Sequence, residues 1–489
     1  MSEKTKQSLW SSFVGNLKEP LGVKDLPDFP GWKAMFGPGL IWVAMAQGSG
    51  ELIWWPYMVA KYGLFFLGWL LLLASLQHWV NIEIGRYTLA TGESIYEGFH
   101  RVNHTVAWFL FILVLVATAW VAGLVSGGAT ALAELTGFPF GWDARGRTIF
   151  WAELAIWIIW LLVVLGPIVY RVVQVIASIS AIACFVGMLS VVIAEPAVHA
   201  IFGEYFTALF TPHIGLPPNW DPGDAGRLVT LMCYTGAGGF WNLLYTYWVR
   251  DQNAGMAKHI GRVTSPITGE LEAIPAIGYG FEPTPENHVK WRKWVKWIWC
   301  DSGFGVIMNT VTIILTTLLS YAILYPKHKY PVGWKLVAVQ GEWLGYTWGV
   351  IGRNLMLFIA FFFLFDTFLE AYDGVCRAFA SNVQSNIPRT RKYHYRTIYY
   401  VLFTIYAIIA SIEIYLSPPG PLLIASGVAN MLIMAIYCIV LLYLNWFYLP
   451  KIHPAGKMVR PTWIPFILLT ISTIVFWYAL LGIYLPTLL

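Results

Sequence analysis

Eleven stretches of this chain stay apolar for about the length of a bilayer, and that pattern constrains the fold more than any other feature. They cover residues 34–61, 63–90, 104–135, 148–166, 168–195, 226–249, 295–324, 345–379, 395–416, 420–448 and 464–487. A helix of about 20 apolar residues crosses the hydrocarbon core. Inside lipid every backbone N–H and C=O must be satisfied within the protein, so runs of this kind span as helices. Only 12% of the residues are charged against 58% hydrophobic, and a soluble domain carries about 25% charged residues. The soluble classes are therefore excluded. The 26 Trp suit aromatic belts at two interfaces.

The net charge of +5 is read loop by loop as an orientation signal, with no nucleic-acid partner implied. Most Lys and Arg fall on the side of residues 1–33, which sets the N-terminus inside and the C-terminus outside. A prokaryotic inner (plasma) membrane is the expected location. Residues 1–33 form a polar lead-in that ends in Pro27, Pro30, Gly31 and Trp32 and is expected on the membrane surface. They hold no apolar core of a signal peptide. Residues 250–294 form a cytoplasmic loop. It runs into KWRKWVKWIW (290–299), where cations and Trp alternate as interfacial anchors. Cys184, Cys233, Cys300, Cys376 and Cys438 lie in or beside apolar runs without metal-ligand spacing, so no disulfide framework is expected.

Two of the apolar segments are interrupted. The first carries Gln47, Gly48, Ser49, Gly50 and Glu51 at its middle. Two glycines loosen a helix there, and a carboxylate follows at a depth where it costs at least about 2.5 kcal/mol. The sixth carries Thr235, Gly236, Gly238 and Gly239, then Asn242. Gly is about 1 kcal/mol worse than Ala in a helix interior, so three in four positions predict local unwinding. Two such breaks five spans apart point to a 5+5 inverted repeat, residues 34–195 and 226–448, followed by an eleventh helix at 464–487. The bland alternatives are a kinked first helix with Glu51 in a structural pair, and close helix packing on the glycines. Cut helices leave free carbonyls on one side of a gap and free amides on the other. Hard divalent cations take carboxylate, carbonyl and amide oxygens. Glu51 and Asn242 are the candidate metal ligands, with Gln47, Gly48, Ser49, Gly50, Thr235, Gly236, Gly238 and Gly239 completing the binding set.

Other charges lie within apolar runs. Asp366, Glu370 and Asp373 share one helical face by their spacing. They read as a proton relay or, for Glu370 and Asp373, as structural partners of Arg377 or Arg86. Glu83 and Arg86 read as an inner gate or a structural pair. His78 reads as a hydrogen-bonded core histidine ahead of a proton shuttle. Gly123 and Gly127 form a GxxxG pattern that permits close packing within the chain or between copies.

On these residues the sequence resembles the Nramp family of divalent metal transporters. GPGLIWVAMAQGSGELIWWPYMVAKYG is similar to that family's first span, LQHWVNIEIGRYTLATG to its second and PLLIASGVANMLIMAIYCIVLLYLN to its tenth. The resemblance implies an all-α, leucine-transporter-like (APC-type) fold with helices 1 and 6 interrupted. It also implies a secondary-active carrier without cofactor or catalytic residues, and helices 1 and 8 holding a coupling ion near Asp366 and Thr367. The departures fall at the chemistry. Where the family carries Asp-Pro-Gly-Asn this chain has Gly48, Ser49, Gly50 and Glu51, and where it carries Met-Pro-His-Asn this chain has Gly239, Phe240, Trp241 and Asn242. Loss of the thioether shifts preference from soft metals to hard ions such as Mg²⁺, Ca²⁺ or Mn²⁺. The competing expectation is a carrier of a small organic solute or monovalent ion, walled by Trp54, Trp55, Phe240 and Trp241. A non-transporting sensor is the third.

Overall fold

A computed structural model describes residues 20–32, 48–165, 167–236, 238–260 and 277–489. Each apolar segment read from the sequence has a helical counterpart within these residues. In chain order they are α1 (Trp55–Tyr62), α2 (Leu70–Thr91), α3 (Ile95–Val102), α4 (His104–Ala119), α5 (Ala122–Thr136), α6 (Ala144–Leu165) and α7 (Pro167–Ala194). After two short helices follow α8 (Ala225–Tyr234), α9 (Phe240–Asp251), α10 (Pro285–Leu319), α11 (Gly341–Asn386), α12 (Tyr395–Leu416), α13 (Pro419–Tyr443) and α14 (Trp463–Tyr478). Among the described residues, 7 helical stretches are long and apolar enough to cross a membrane. The protein is an integral, multi-pass membrane protein.

The helices bury their shared faces against one another and leave aliphatic stripes outward. Along α12, Val401, Ile405, Ile408 and Ile412 are all exposed, while Tyr399, Phe403, Ala407 and Ala410 are buried. An outward apolar stripe of this kind is at home where lipid replaces water. At the centre, α2 packs against α9, α10 and α14, while α11 packs against α5 and α8 against α13. The GxxxG glycines serve packing within the chain. A Cβ on Gly123 would lie 2.9 Å from the Pro419 carbonyl oxygen at the start of α13.

The lead-in and the connector before α10 differ from the sequence expectation. Gly22–Val23 pairs in parallel with Tyr279–Gly280 as a two-stranded ribbon, β1 with β2, so residues 20–32 dock on protein. Helix α10 begins at Pro285, with Thr284 accepting from the Asn287 N–H as its N-cap, so the loop ends ten residues early. Trp291, Trp294 and Trp297 are buried there, and Trp294 Nε1 donates to the Pro27 carbonyl at 2.9 Å. Arg292, Lys293 and Lys296 are exposed while Trp291, Trp294 and Trp297 are buried, because helical spacing sorts the two sets onto different faces, and Lys290 pairs with Asp28 of the lead-in at 3.1 Å.

Candidate functional site

The first interrupted segment enters its second half through a widened turn. Residues Gly50–Trp54 form one π-helical turn, in which the Trp55 N–H bonds back to the Gly50 carbonyl before α1 continues. Such turns recur at functional positions. Glu51 sits in this turn and is buried. One of its oxygens, Oε2, accepts from the Gly48 N–H at 2.6 Å, folding the carboxylate over a helix start that lacks intrahelical acceptors. The other, Oε1, accepts a short hydrogen bond from Asn309 Nδ2 of α10. Gln47, the remaining residue of this expected set, lies outside the described residues.

The sixth segment is cut. Helix α8 stops at Tyr234, Thr235 turns extended (φ −75°, ψ 99°), and α9 restarts at Phe240 after Gly239. Gly236 and Gly239 hold φ of 90° and 76°, values that side chains rarely adopt. Three of the groups this break frees are met by other helices. Asn430 Oδ1 of α13 accepts the Phe240 N–H at 2.8 Å, doing from a distance what an N-cap does. Gln77 of α2 donates to the Cys233 carbonyl at 3.2 Å and accepts from Asn242 Nδ2 at 2.8 Å. Tyr437 donates to the Gly239 carbonyl and accepts from Asn242 Nδ2.

A small cavity lies where the first break faces the end of α8. Gly48, Ser49, Gly50, Glu51, Tyr234, Trp241, Thr367 and Ser426 line it with three aliphatic side chains. The space open to the centre of a water-sized sphere is about 30 Å³, which holds about two waters. Among the described residues Glu51 is the one carboxylate on the lining, and the remaining polar side chains there are hydroxyls and an indole. Among the described residues no three His, Cys, Asp or Glu side chains cluster as a metal site. A cation here would meet one carboxylate plus neutral oxygens, which is hard-ion chemistry.

No family model matches the sequence. An uncharacterized protein of Pasteurella multocida (strain Pm70) is 24% identical over 355 residues, 72% of this chain and 70% of that protein. Solved structures are similar over nearly the whole chain. A manganese transporter of Eremococcus coleocola matches with a TM-score of 0.61 at 13% identity, covering 97% of both chains. MhsT in complex with L-phenylalanine gives 0.54 at 12%, covering 95% of this chain and 100% of that one. Mhp1, a nucleobase-cation-symport-1 family transporter with bromovinylhydantoin bound, gives 0.52 at 13%, covering 98% and 94%. The chain has the leucine-transporter-like fold.

Within that fold the expected site residues separate into two groups. Gly48, Ser49, Gly50, Glu51 and Thr367 meet at the cavity. Thr235, Gly236 and Asn242 are not on its lining. Thr235 accepts from Trp55 Nε1 at 3.0 Å and donates to the Leu231 carbonyl, and the Asn242 amide faces Gln77 and Tyr437. Gly238 and Gly239 are there for fit. A Cβ on Gly238 would stand 1.7 Å from the Cys233 carbonyl oxygen, and one on Gly239 2.6 Å from Asn430 Oδ1. Asn309, Gln77, Asn430 and Tyr437 were not singled out in the sequence. The signal for the three amides is a lone Asn or Gln in an apolar run, which marks a buried partner without saying which.

The charged residues of α11 also divide. Asp373 accepts from Tyr399 Oη at 2.5 Å and pairs with Arg377 at 3.0 Å, the structural alternative. Asp366 Oδ1 and Glu370 Oε2, one turn apart, are buried without a hydrogen-bond partner among the described residues. Glu83 pairs with Arg86 at 3.1 Å and accepts from Asn445 at 2.9 Å. His78 Nδ1 lies 3.0 Å from Ser302 Oγ, a hydrogen-bonded core histidine.

Ion pairs hold the half-helices on both sides of the cavity. On one side buried Asp224, just before α8, binds Lys61 at 2.7 Å, Tyr62 Oη at 2.6 Å, Tyr57 Oη at 2.9 Å and Arg227. This clamps the end of α1 to the start of α8. On the other side Arg250 of α9 faces Glu97 of α3 at 4.0 Å, and Arg377 bridges Asp251 at 3.5 Å.

Proposed function

We propose that this chain is a carrier, not an enzyme, that moves a divalent metal cation by alternating access, favouring hard ions such as Mg²⁺, Mn²⁺ or Ca²⁺. The observation that carries this reading is Glu51: a buried carboxylate at a helix start, on the wall of a small cavity to which Ser49, Tyr234, Thr367 and Ser426 bring hydroxyls. Glu51 is the charged ligand. Asn309 is its positioning residue, since its amide fixes one carboxylate oxygen. Ser49, Thr367 and Ser426 supply neutral oxygens. In this reading the two five-helix repeats rock about the cavity, and the ion pairs at its two ends break and re-form in turn. The N-terminus lies in the cytoplasm and the C-terminus outside, in a prokaryotic inner membrane.

Asp366 and Glu370 are the proposed proton pathway. Two buried carboxyls a turn apart, each with an oxygen that meets no hydrogen-bond partner among the described residues, are the arrangement in which a proton is taken up and passed on. The second reading, a small organic solute or monovalent ion, draws support from Tyr234 and Trp241 on the cavity wall. MhsT holds an amino acid on a similar fold.

Radiotracer or dye flux of Mn²⁺, Mg²⁺ and Ca²⁺ into proteoliposomes tests the first reading. Flux is expected from the unaltered chain, with a loss of about tenfold or more in Glu51→Gln, equivalent to about 1.4 kcal/mol. No cation-dependent flux, or full flux in Glu51→Gln, overturns it. A thermal shift with amino acids or amines but not with divalent metals selects the second reading.

A further inference from the structure

A second cleft opens at the membrane boundary, away from the cavity, between the start of α10 and the connector that leads into α14. Its volume is about 550 Å³. Besides Arg86, three cations line it: Arg292 and Lys296 of α10, one turn apart, and Arg460 just before α14. Among the described residues no carboxylate lies within ion-pair distance of any of the three. Lys296 and Arg460 each stand near an indole, at 5.8 Å from the Trp32 ring and 5.0 Å from the Trp463 ring, contacts that leave their charge uncompensated. Arg86, on the same lining, is already paired with Glu83. Cations converging on one concave site without a carboxylate are the electrostatic footprint of an anion.

The surroundings identify what carries that anion. Trp299 on the lining is 38% exposed and Trp463 beside it 58%, the aromatic pair expected at headgroup depth. Beyond them the surface becomes aliphatic: Ile307 lies two turns along the same face of α10 as Cys300, and Ile464 and Ile467 lie on α14, each more than half exposed. An anionic head above two acyl chains matches a cationic cleft above an apolar track, and basic pockets between spanning helices take such headgroups.

We propose that this cleft binds the phosphate of an anionic glycerophospholipid, held by Arg292, Lys296 and Arg460 with its acyl chains on α10 and α14. Native mass spectrometry of the full chain in a neutral detergent, titrated with dioleoylphosphatidylglycerol or dioleoylphosphatidylcholine, tests this. Phosphatidylglycerol is expected to bind at least about tenfold more tightly, and each of Arg292→Gln, Lys296→Gln and Arg460→Gln to weaken it about fivefold, since one cation near an anionic lipid contributes about 1 kcal/mol. Arg292→Lys, which keeps the charge, is expected to retain the preference. Equal affinity for the two lipids overturns the proposal. So does an unchanged preference in all three single variants, or displacement of the lipid by millimolar inorganic phosphate or glycerol phosphate, which would mark a soluble-phosphate site.

Discussion

The two interrupted segments look alike as sequence and behave differently as structure. In the sixth, three of the groups released by the cut are taken up by protein, the Cys233 carbonyl by Gln77, the Phe240 N–H by Asn430 and the Gly239 carbonyl by Tyr437, and the side chains of Tyr234 and Trp241 that border the cut bring no charge to the cavity. In the first, a carboxylate covers the helix start and still faces a cavity. A helix can thus be broken to be sealed or broken to be offered. Glycine content does not distinguish the two, whereas the polar side chains on neighbouring helices do.

The largest effect is expected from Gly238→Ala. With 1.7 Å between the added Cβ and the Cys233 carbonyl oxygen, the sealed break cannot close, and stability should fall by more than about 4 kcal/mol. Loss of a monodisperse peak on size exclusion is the readout. A variant as stable as the unaltered chain would show that the cut tolerates another geometry.

Asp224→Asn should follow. It leaves Arg227 without its carboxylate and Lys61 with Asp221 alone at the end of α1 and the start of α8, and since both cations are partly exposed the loss should stay below the roughly 3–5 kcal/mol of a fully buried pair. The measurement is the thermal midpoint in detergent. Gln77→Leu comes next. It strands the Cys233 carbonyl, worth about 1–3 kcal/mol when left unsatisfied, and takes one of the acceptors of the Asn242 amide while Tyr437 keeps the other, with no direct contact to the cavity. If Gln77→Leu removed flux but left the thermal midpoint unmoved, the sixth break would be part of the binding site and the contrast would fail.

A pH series isolates a group remote from both breaks. His453, between α13 and α14, donates from Nε2 to the Ala90 carbonyl and accepts the Ala455 N–H at Nδ1. Burial lowers its pKa to about 4. The folded state therefore prefers the neutral ring. Its contribution is complete above about pH 6.5 and is lost as pH falls from there through 4, up to about 3 kcal/mol. His453→Gln should flatten that acid limb in thermal unfolding, while a limb of unchanged steepness assigns acid sensitivity elsewhere. The smallest stability change is expected in Glu51→Gln, within about 1 kcal/mol because the amide oxygen still accepts one of the two hydrogen bonds, although it should lose flux. That pairing of intact fold and lost transport is the sharpest statement of the difference between the breaks.

Much of this was legible in the chain. The glycines at 236, 238 and 239 located the cut, and the isolated Glu51 located the cavity. The pairing of Asp373 with Arg377 was visible from their spacing of one turn. The direction of Asn242 was not legible, because three residues past a break its rotation depends on how α9 packs, and its Nδ2 faces Gln77 and Tyr437. Trp294 of the 290–299 run read as a lipid anchor, but the lead-in covers it, and a contact over 267 positions leaves no local trace.

Hydrophobic length and glycine placement determined by themselves that the chain crosses the membrane repeatedly and where two of its helices loosen, because both follow from local backbone energetics in lipid. Only the tertiary structure decided which loosened end is sealed and which faces a cavity. That choice rests on Gln77, Asn309 and Asn430 arriving from helices distant in sequence, and a lone amide carries no record of the partner it will meet.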